Sequence, residues 1–279
     1  MPKPLTEEQL KDAEICGYVF PVRSMDSGRV KEIQTTYEAV ESCKGEDVPQ
    51  LMSVKPHVLF KWLFQLGATP KLSGAVEDLV RPNILLTTCA IWPKDAGDQR
   101  FVTWHQDSAY IGYGPMDVWS AWIARTDSRV DNGCLQYLPG SHKDREMIHE
   151  ETYNLQNMLS GGQKILPGQF KEIGAIDVEL KSGKCMFHHF QLAHTSEPNN
   201  SDRQRIGILF VFCPTHVKPT TELNSAILVR SEDKFGYWNS GPIPESGLDA
   251  AHLRHYNDFW KSYVNPENIF EAERSAASK

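Results

Sequence analysis

The stretch of the sequence with the clearest chemical potential is TWHQDSAYIGYG at residues 103–114, in which one residue separates His105 from Asp107. In a β-strand, residues i and i+2 project from the same face, so this imidazole and this carboxylate would share one space. Such a pair of donors suits a divalent first-row metal ion. The pair alone is weak evidence, because both residue types are common where strands run into turns.

A third donor of the right type lies further along the chain. His194 follows an apolar run in HHFQLAHTS (188–196). A jelly roll brings strands that are distant in sequence to one mouth, so the gap between Asp107 and His194 is no obstacle. Two histidines and one carboxylate form the facial triad, which leaves coordination positions open and suits Fe(II) oxygenases. A zinc ion with three protein ligands and one water is the competing interpretation.

An oxygenase that consumes 2-oxoglutarate also needs a cation for the far carboxylate of that diacid. Arg205 lies 11 residues after His194, at the start of the run RIGILFVF, and arginine is the natural bidentate partner of a carboxylate. Ser196 can share the strand face of His194 and donate a hydroxyl hydrogen bond to the same carboxylate. Arg203 takes the opposite position in the turn, which favours a solvated surface role.

The elements that must position these side chains fall into three parts of one predicted domain, 1–279. Residues 1–82 are predicted to form a helical N-terminal support, and residues 218–279 a C-terminal cover. Between them, residues 83–217 consist of short apolar or alternating runs separated by Gly, Pro, Asp or Asn. This texture predicts an antiparallel barrel or jelly roll as the core.

Local patterns predict individual elements within these parts. Apolar residues at helical spacing predict helices over 6–15, 27–43, 55–80 and 253–264. A short strand is predicted at 17–22. The segment DVELKSGKCMFHH (177–189) contains a Ser-Gly turn between two runs and predicts a β-hairpin.

The composition limits the class of protein and its partners. The chain has 279 residues, of which 40% are hydrophobic and 23% charged, and its net charge is −7. No apolar run approaches the roughly 18 residues of a membrane span, and the acidic balance disfavours nucleic acid. The six cysteines form no CxxC pair, which argues against a zinc ribbon. With a polar start that matches no signal peptide, these features predict a cytoplasmic protein with reduced thiols; we expect a monomer or a homodimer.

Several motifs together point to a known family. They are WHQD (104–107), SAWIA (120–124), DNGCLQYLPGSHK (131–143), HTS (194–196) and Arg205. With these motifs, over about 83–217, the sequence resembles the phytanoyl-CoA dioxygenase family of Fe(II)- and 2-oxoglutarate-dependent oxygenases. The resemblance implies a mainly β fold with flanking helices, the double-stranded β-helix, which is a cupin-like jelly roll.

The resemblance also implies the roles of the site residues. His105, Asp107 and His194 would bind Fe(II), and Arg205 with Ser196 would hold the far carboxylate of 2-oxoglutarate. The implied reaction consumes O2, releases succinate and CO2, and hydroxylates or otherwise oxidises a small organic substrate. Halogenases of the family carry a small residue in place of the carboxylate ligand, so the presence of Asp107 favours hydroxylation or a related oxidation.

Three further residues are assigned to the cosubstrate pocket by the resemblance alone. Trp122 matches a tryptophan that lines this pocket in the family. Thr88 and Lys94 fall at positions that face the same pocket in relatives. None of the three assignments follows from spacing or composition.

Contacts to the substrate are predicted at Tyr110, Tyr113 and Arg230. The two tyrosines follow the metal motif, and an aromatic box would suit a quaternary ammonium group, whereas ordinary packing is the alternative. Arg230 is a candidate for closing over the site from the C-terminal cover, and a surface ion pair is the alternative. The segments LSGGQ (159–163) and LVRSEDKFGYW (228–238) resemble a group that includes oxygenases of 2-aminoethylphosphonate and its trimethylammonium relative.

Other functions remain open at this level. An acyl-CoA 2-hydroxylase of the phytanoyl-CoA type would need cations for the phosphates of CoA, and the sequence has no basic cluster. A non-catalytic jelly-roll protein that binds a metal or ligand would have no need of the complete set of three metal ligands, Arg205 and Ser196. A zinc hydrolase on the same triad would leave Arg205 and Ser196 unexplained.

Overall fold

A computed structural model gives the fold and describes residues 4–42, 48–109, 112–144, 146–171, 173–220, 225–245 and 250–263. The helices are α1 (Glu7–Cys16), α2 (Ser27–Ser42), α3 (Val48–Ser53), α4 (Lys61–Gly67), α5 (Pro70–Val80) and α6 (Ala250–Tyr263). In the part of the chain that is described, no helix is both long enough and apolar enough to cross a membrane.

The strands are numbered in chain order. They are β1 (Tyr18–Arg23), β2 (Ile84–Lys94), β3 (Val102–His105), β4 (Tyr113–Gly114), β5 (Trp119–Ala124), β6 (Leu135–Tyr137), β7 (His149–Glu150), β8 (Lys164–Ile165), β9 (Ile176–Val178), β10 (Lys184–His189), β11 (His194–Ser196), β12 (Arg205–Pro214), β13 (Lys218–Pro219), β14 (Ser225–Arg230) and β15 (Asn239–Ser240).

Two main sheets form the core of the fold. The larger sheet has the order β1-β10-β5-β12-β2-β14-β15, and the smaller sheet has the order β3-β11-β6-β9. Along the chain, β2, β5, β10 and β12 enter the larger sheet, while β3, β6, β9 and β11 enter the smaller one. Strands that alternate between two antiparallel sheets in this way make a jelly roll. The predicted double-stranded β-helix is therefore confirmed.

The larger sheet is covered on both faces, which explains the composition of its central strand. All six residues of β5, WSAWIA, are buried. Ala121 and Ile123 pack into the apolar cluster shared with the N-terminal helices, whereas Trp122 packs toward the smaller sheet with Leu135 and Tyr137. Strands buried on both faces read as continuous apolar runs, because neither face meets water.

The predicted helix at 6–15 is confirmed, and its ends have clear local causes. The Thr6 side chain accepts a hydrogen bond from the backbone of Gln9 while the Gln9 side chain accepts one from the backbone of Thr6, a reciprocal capping box. The helix ends at Gly17, whose φ of +82° lies in the left-handed region that glycine adopts readily.

The single helix predicted near 55–80 is wrong in its continuity. A single-turn 3-10 helix (Pro56–Val58) precedes α4, and a new helix, α5, starts at Pro70. Proline has no backbone N–H to donate and its ring clashes with the preceding turn, so it favours the first turn of a helix over the interior.

The hairpin predicted at 177–189 is also wrong. Strand β9 pairs with β6 in the smaller sheet, and β10 pairs with β1 and β5 in the larger one. The turn at Ser182-Gly183 therefore carries the chain from one sheet to the other. Gly183 has φ +82°, and a Cβ there would approach the Val30 side chain to 2.6 Å. A Ser-Gly turn suits a hairpin as well as a connection between two sheets, so the local sequence does not distinguish the two.

The flanking parts of the chain contribute strands as well as helices. Strand β1 lies within 1–82 and pairs with β10, and β14 lies within 218–279 and pairs with β2. The N-terminal part is thus not a purely helical support. The larger sheet contains strands from both sides of the predicted boundaries near 83 and 217. The assignment of 1–279 to one domain stays a prediction.

Candidate metal centre and its cavity

The three predicted metal ligands come together at one end of the jelly roll. Strands β3 and β11 pair so that His105 lies directly opposite His194. Asp107 lies just beyond β3, at the start of a single-turn 3-10 helix, and not on the strand itself. Its Oδ1 atom is 3.5 Å from Nε2 of His105 and 3.7 Å from Nε2 of His194. One donor atom from each residue lies within 4.8 Å of the others, a spacing able to hold a metal ion.

Main-chain carbonyls orient both imidazoles. Nδ1 of His105 lies 2.9 Å from the carbonyl oxygen of Thr103, and Nδ1 of His194 lies 2.9 Å from that of Leu192. A carbonyl only accepts, so each Nδ1 carries the proton and each Nε2 presents its lone pair to the centre. Burial lowers the pKa of His194 well below its ordinary value, which keeps the ring in the neutral form that a metal requires.

The Asp107 carboxylate is held through its other oxygen. Ser120 Oγ donates a hydrogen bond to Oδ2 at 3.1 Å, and Nε2 of His188 lies 3.3 Å from the same atom. Burial raises the pKa of Asp107, but the neighbouring imidazoles of His194, His105 and His188 outweigh it and hold that pKa well below its usual range. The carboxylate is therefore ionised, the form that can bind a metal ion.

Arg205 supplies a buried positive charge beside the triad. It begins β12, opposite Lys94 at the end of β2, and is only 3% exposed. One terminal nitrogen donates to Ser196 Oγ at 3.1 Å and the other to the carbonyl of Trp92 at 3.4 Å, while Nε is buried without a hydrogen-bond partner. No carboxylate among the described residues forms an ion pair with it. Burial lowers its pKa to about 10, and a buried cation without a counter-charge is costly.

One cavity connects the triad to Arg205. Its empty volume, with its open mouth included, is about 520 Å³. The wall is apolar apart from the triad, Ser196, Arg205 and one more histidine. The remaining lining residues are Trp92, Val102, Trp122, Leu135, Met158, Leu159, His188 and Leu209. An apolar cavity with a few convergent polar groups is typical of a small-molecule site.

The three residues that were assigned to the pocket by resemblance occupy different positions. Trp122 lines the cavity, and the Arg205 guanidinium lies 5.6 Å from the centre of its ring. Lys94 is fully buried behind the wall, where its Nζ donates to Ser196 Oγ at 2.7 Å and to the carbonyls of Ser196 and Glu197. Thr88 lies further along β2, opposite Val211, and is not among the lining residues. Its predicted role at the pocket is therefore not supported by its position.

The structure places two of the three predicted substrate contacts, Tyr113 and Arg230, away from this cavity. Tyr113 is buried away from the cavity, where it stacks on Phe190 and meets the edge of Trp238. Arg230 pairs in register with Ile84, at the opposite end of β2 from Lys94 and Arg205, and forms an ion pair with Glu77. Neither side chain lines the cavity. Tyr110 lies outside the described residues.

A segment outside the main sheets completes the cavity wall. Part of it, LSGGQ (159–163), was singled out by resemblance, but no residue of it was predicted to line the site. Met158 and Leu159 reach the cavity from the polar insertion at 143–172. The neighbouring Asn157 donates to Thr103 Oγ1 at 2.8 Å, beside the metal motif. Gln106 anchors the same insertion, because its Oε1 accepts from the backbone of Met147 at 2.7 Å.

Of the two polar side chains that contact Oδ2 of Asp107, Ser120 was missed as a site residue, whereas the sequence left His188 open as a partner of the metal ligands or as a structural residue. Ser120 is the first residue of the SAWIA motif, so that motif was the available signal. The sequence does not reveal the contact between His188 and Asp107, because this contact depends on the register between β10 and β5, which places His188 opposite Ser120.

Comparison with known sequences identifies a family and several relatives. The family profile described as phytanoyl-CoA dioxygenase (PhyH) matches residues 17–207. The phytanoyl-CoA dioxygenase domain-containing protein 1 homolog of Dictyostelium discoideum is 35% identical over 104 residues, which are 36% of each protein. Human peroxisomal phytanoyl-CoA dioxygenase is 30% identical over 207 residues, which are 69% of this chain and 60% of the human protein. The chain thus spans less than two thirds of the length of these relatives.

Solved structures with the same fold include metal-bound proteins. The non-heme monooxygenase ThoJ in its apo form has a TM-score of 0.81 and 27% identity, covering 96% of this chain and 99% of ThoJ. The ThoJ-Ni complex has a TM-score of 0.75 and 26% identity, with 95% and 99% covered. CytC3 with Fe(II) and alpha-ketoglutarate has a TM-score of 0.65 at 18% identity, covering 89% of this chain and all (100%) of CytC3, which supports the fold.

Proposed function

Because the chain belongs to the phytanoyl-CoA dioxygenase family, we propose that it is an Fe(II)- and 2-oxoglutarate-dependent dioxygenase that hydroxylates or otherwise oxidises a small organic substrate. Succinate and CO2 are the accompanying products. With O2, the bound iron and 2-oxoglutarate would supply the oxidising power for attack on a C–H bond.

The observation that carries this proposal is the pairing of the triad with an uncompensated Arg205 in one cavity. Two neutral imidazoles and one ionised carboxylate fit Fe(II) and leave coordination positions open. The buried guanidinium with its orphaned Nε fits a carboxylate that comes from outside the protein. A zinc hydrolase or a non-catalytic metal-binding protein would have no use for this second feature.

Each of the site residues has a defined part in the proposed reaction. His105, Asp107 and His194 hold the metal, and Arg205 with Ser196 binds the far carboxylate of 2-oxoglutarate. Lys94 positions Ser196 from behind the wall, and Trp122 closes the side of the cosubstrate pocket. The apolar remainder of the cavity excludes water from the reacting groups.

The cavity favours a substrate that presents an apolar group to the metal. The lining includes Met158, Leu159 and Leu209, and within the described chain Arg205 is the one cation of the lining. This supports a small organic substrate over an acyl-CoA, whose phosphates need cations. A phosphonate would face the same shortage, whereas a quaternary amine remains compatible with Trp92 and Trp122. The cytoplasmic location and the state of monomer or homodimer stay predictions.

An anaerobic titration tests the proposed cosubstrates. Addition of 2-oxoglutarate to the Fe(II)-loaded protein is expected to give a weak visible charge-transfer band, and addition of O2 is expected to yield succinate. Zn(II)-loaded protein is the control and should give neither. If the protein is folded and loaded with Fe(II) but shows no such band, the proposed function is wrong. Succinate release over a panel of amines, amino acids, phosphonates and acyl-CoAs then identifies the substrate class.

Gly207→Ala is expected to damage the cosubstrate pocket from the neighbouring strand. A Cβ at this position would lie 2.0 Å from Cζ2 of Trp122, so the indole ring must move. Overpacking of this kind lowers the free energy of unfolding by about 1–3 kcal/mol. Displacement of the ring should also raise the KM for 2-oxoglutarate about 10- to 100-fold, the equivalent of about 1.4–2.8 kcal/mol, because the ring lies beside the Arg205 guanidinium, 5.6 Å from it.

The matched control is Gly28→Ala, because a Cβ at Gly28 meets its nearest atom at 3.4 Å, an ordinary contact. Thermal unfolding and the KM for 2-oxoglutarate measure the two effects. A Gly207→Ala protein with wild-type values of both would show that the Trp122 ring does not define the pocket.

A further inference from the structure

We propose that His188 is a positioning residue, which holds Oδ2 of Asp107 so that Oδ1 alone faces the metal. The inference rests on the proposed function only in the identity of the metal. The arrangement itself consists of contacts that His188 and Ser120 make with Asp107, and the family resemblance assigned neither His188 nor Ser120 to the metal centre.

The geometry around the two carboxylate oxygens is asymmetric. His188 and Ser120 are partners in the register of β10 and β5, so their side chains share one face of the larger sheet. Both are fully buried and both contact Oδ2, at 3.3 and 3.1 Å. Oδ1 instead faces Nε2 of both histidine ligands. Two strands of one sheet therefore restrain one oxygen and leave the other to the metal.

A third side chain sets the proton positions on His188. The hydroxyl of Tyr137 lies 2.8 Å from Nδ1 of His188, and Tyr137 is fully buried. A carboxylate that binds a metal is ionised and only accepts hydrogen bonds. Nε2 of His188 must then carry the proton that faces Asp107, and Nδ1 must accept from the Tyr137 hydroxyl. The chain Tyr137–His188–Asp107 thus has one consistent direction of donation.

This arrangement matters for the number of open coordination positions. A carboxylate with a free second oxygen can chelate a metal through both atoms. Two histidines and a chelating carboxylate would occupy four positions, and fewer would remain for a diacid and O2. His188 lines the cavity wall beside Asp107, so its hydrogen bond keeps Oδ2 on the protein side.

His188→Phe and His188→Gln test the inference in the full-length protein with Co(II) alone as the probe. Phenylalanine keeps a ring of similar size but donates nothing, while glutamine restores an N–H donor. We expect the affinity for Co(II) to fall about 10- to 100-fold in His188→Phe and to recover most of that loss in His188→Gln. The visible spectrum of bound Co(II) should shift in His188→Phe and return in His188→Gln, a response that a purely structural role would not produce.

His189→Phe is the matched control, because the His189 ring packs edge-on against Trp119 and does not contact Asp107. Its Co(II) affinity should equal that of the wild type. Co(II) affinity of His188→Phe within twofold of wild type, or a His188→Gln variant as impaired as His188→Phe, would overturn the inference. Should wild-type protein bind Co(II) but never respond to 2-oxoglutarate, the proposed function fails while the His188 comparison keeps its meaning.

Discussion

Asp107→Ala is expected to lower succinate formation by at least about 1000-fold, because a bound metal contributes several kcal/mol of transition-state stabilisation and 1.36 kcal/mol corresponds to tenfold in rate. The substitution removes the single ligand that carries a negative charge. It also leaves the Ser120 hydroxyl and the His188 ring, which now contact Oδ2, without their acceptor inside a buried site.

Asp117→Ala provides the matched control for this change. Asp117 is exposed and contacts His216 at 3.0 Å on the surface, so its removal should leave succinate formation unchanged. Ni(II) binding by calorimetry separates loss of the metal from loss of fold. Full activity of Asp107→Ala would show that this carboxylate is not a ligand.

Arg205→Leu is expected to raise the KM for 2-oxoglutarate by about 30-fold to a few thousand-fold, the equivalent of about 2–5 kcal/mol for one partner of a buried charge pair. Affinity for Ni(II) should change little, because Arg205 does not contact the triad. The effect on stability should have the opposite sign. In the absence of 2-oxoglutarate the variant is expected to be at least as stable as wild type, since it no longer buries an uncompensated charge.

Arg203→Leu is the control for Arg205→Leu. Arg203 is exposed and donates to Asp131 at 2.8 Å, so its loss should leave the KM unchanged, as its predicted surface role implies. Thermal unfolding with and without 2-oxoglutarate completes the comparison. If the cosubstrate stabilises Arg205→Leu as much as wild type, the guanidinium does not bind it.

The metal ligands could be predicted from sequence because their chemistry is local. A single residue separates His105 from Asp107, and His194 belongs to a short motif of its own, HTS (194–196). The expected position of Asp107 on the strand was wrong, since it lies on the following turn, yet its carboxylate still meets the histidines. Arg205 could be predicted for a related reason, since it begins a strand whose apolar run is unmistakable.

The remaining parts of the site depend on register, which one sequence does not contain. His188 meets Asp107 only because β10 and β5 align it with Ser120. Arg230 was predicted near the site because sequence alone does not reveal which end of β2 it adjoins. Tyr113 follows the metal motif closely in sequence, but its ring is buried against Phe190 and does not line the cavity.

The metal ligands also differ in what evolution can change around them. The acceptors that orient His105 and His194 are carbonyl oxygens of the main chain, and no point substitution deletes a carbonyl. The groups that donate to Asp107, by contrast, are side chains, the Ser120 hydroxyl and the His188 ring, and each can be changed by a single substitution. Divergent descendants of this chain would therefore inherit the imidazole geometry almost unaltered. Single substitutions of Ser120 or His188 can change how Asp107 binds the metal, so these two positions are natural first targets for directed evolution.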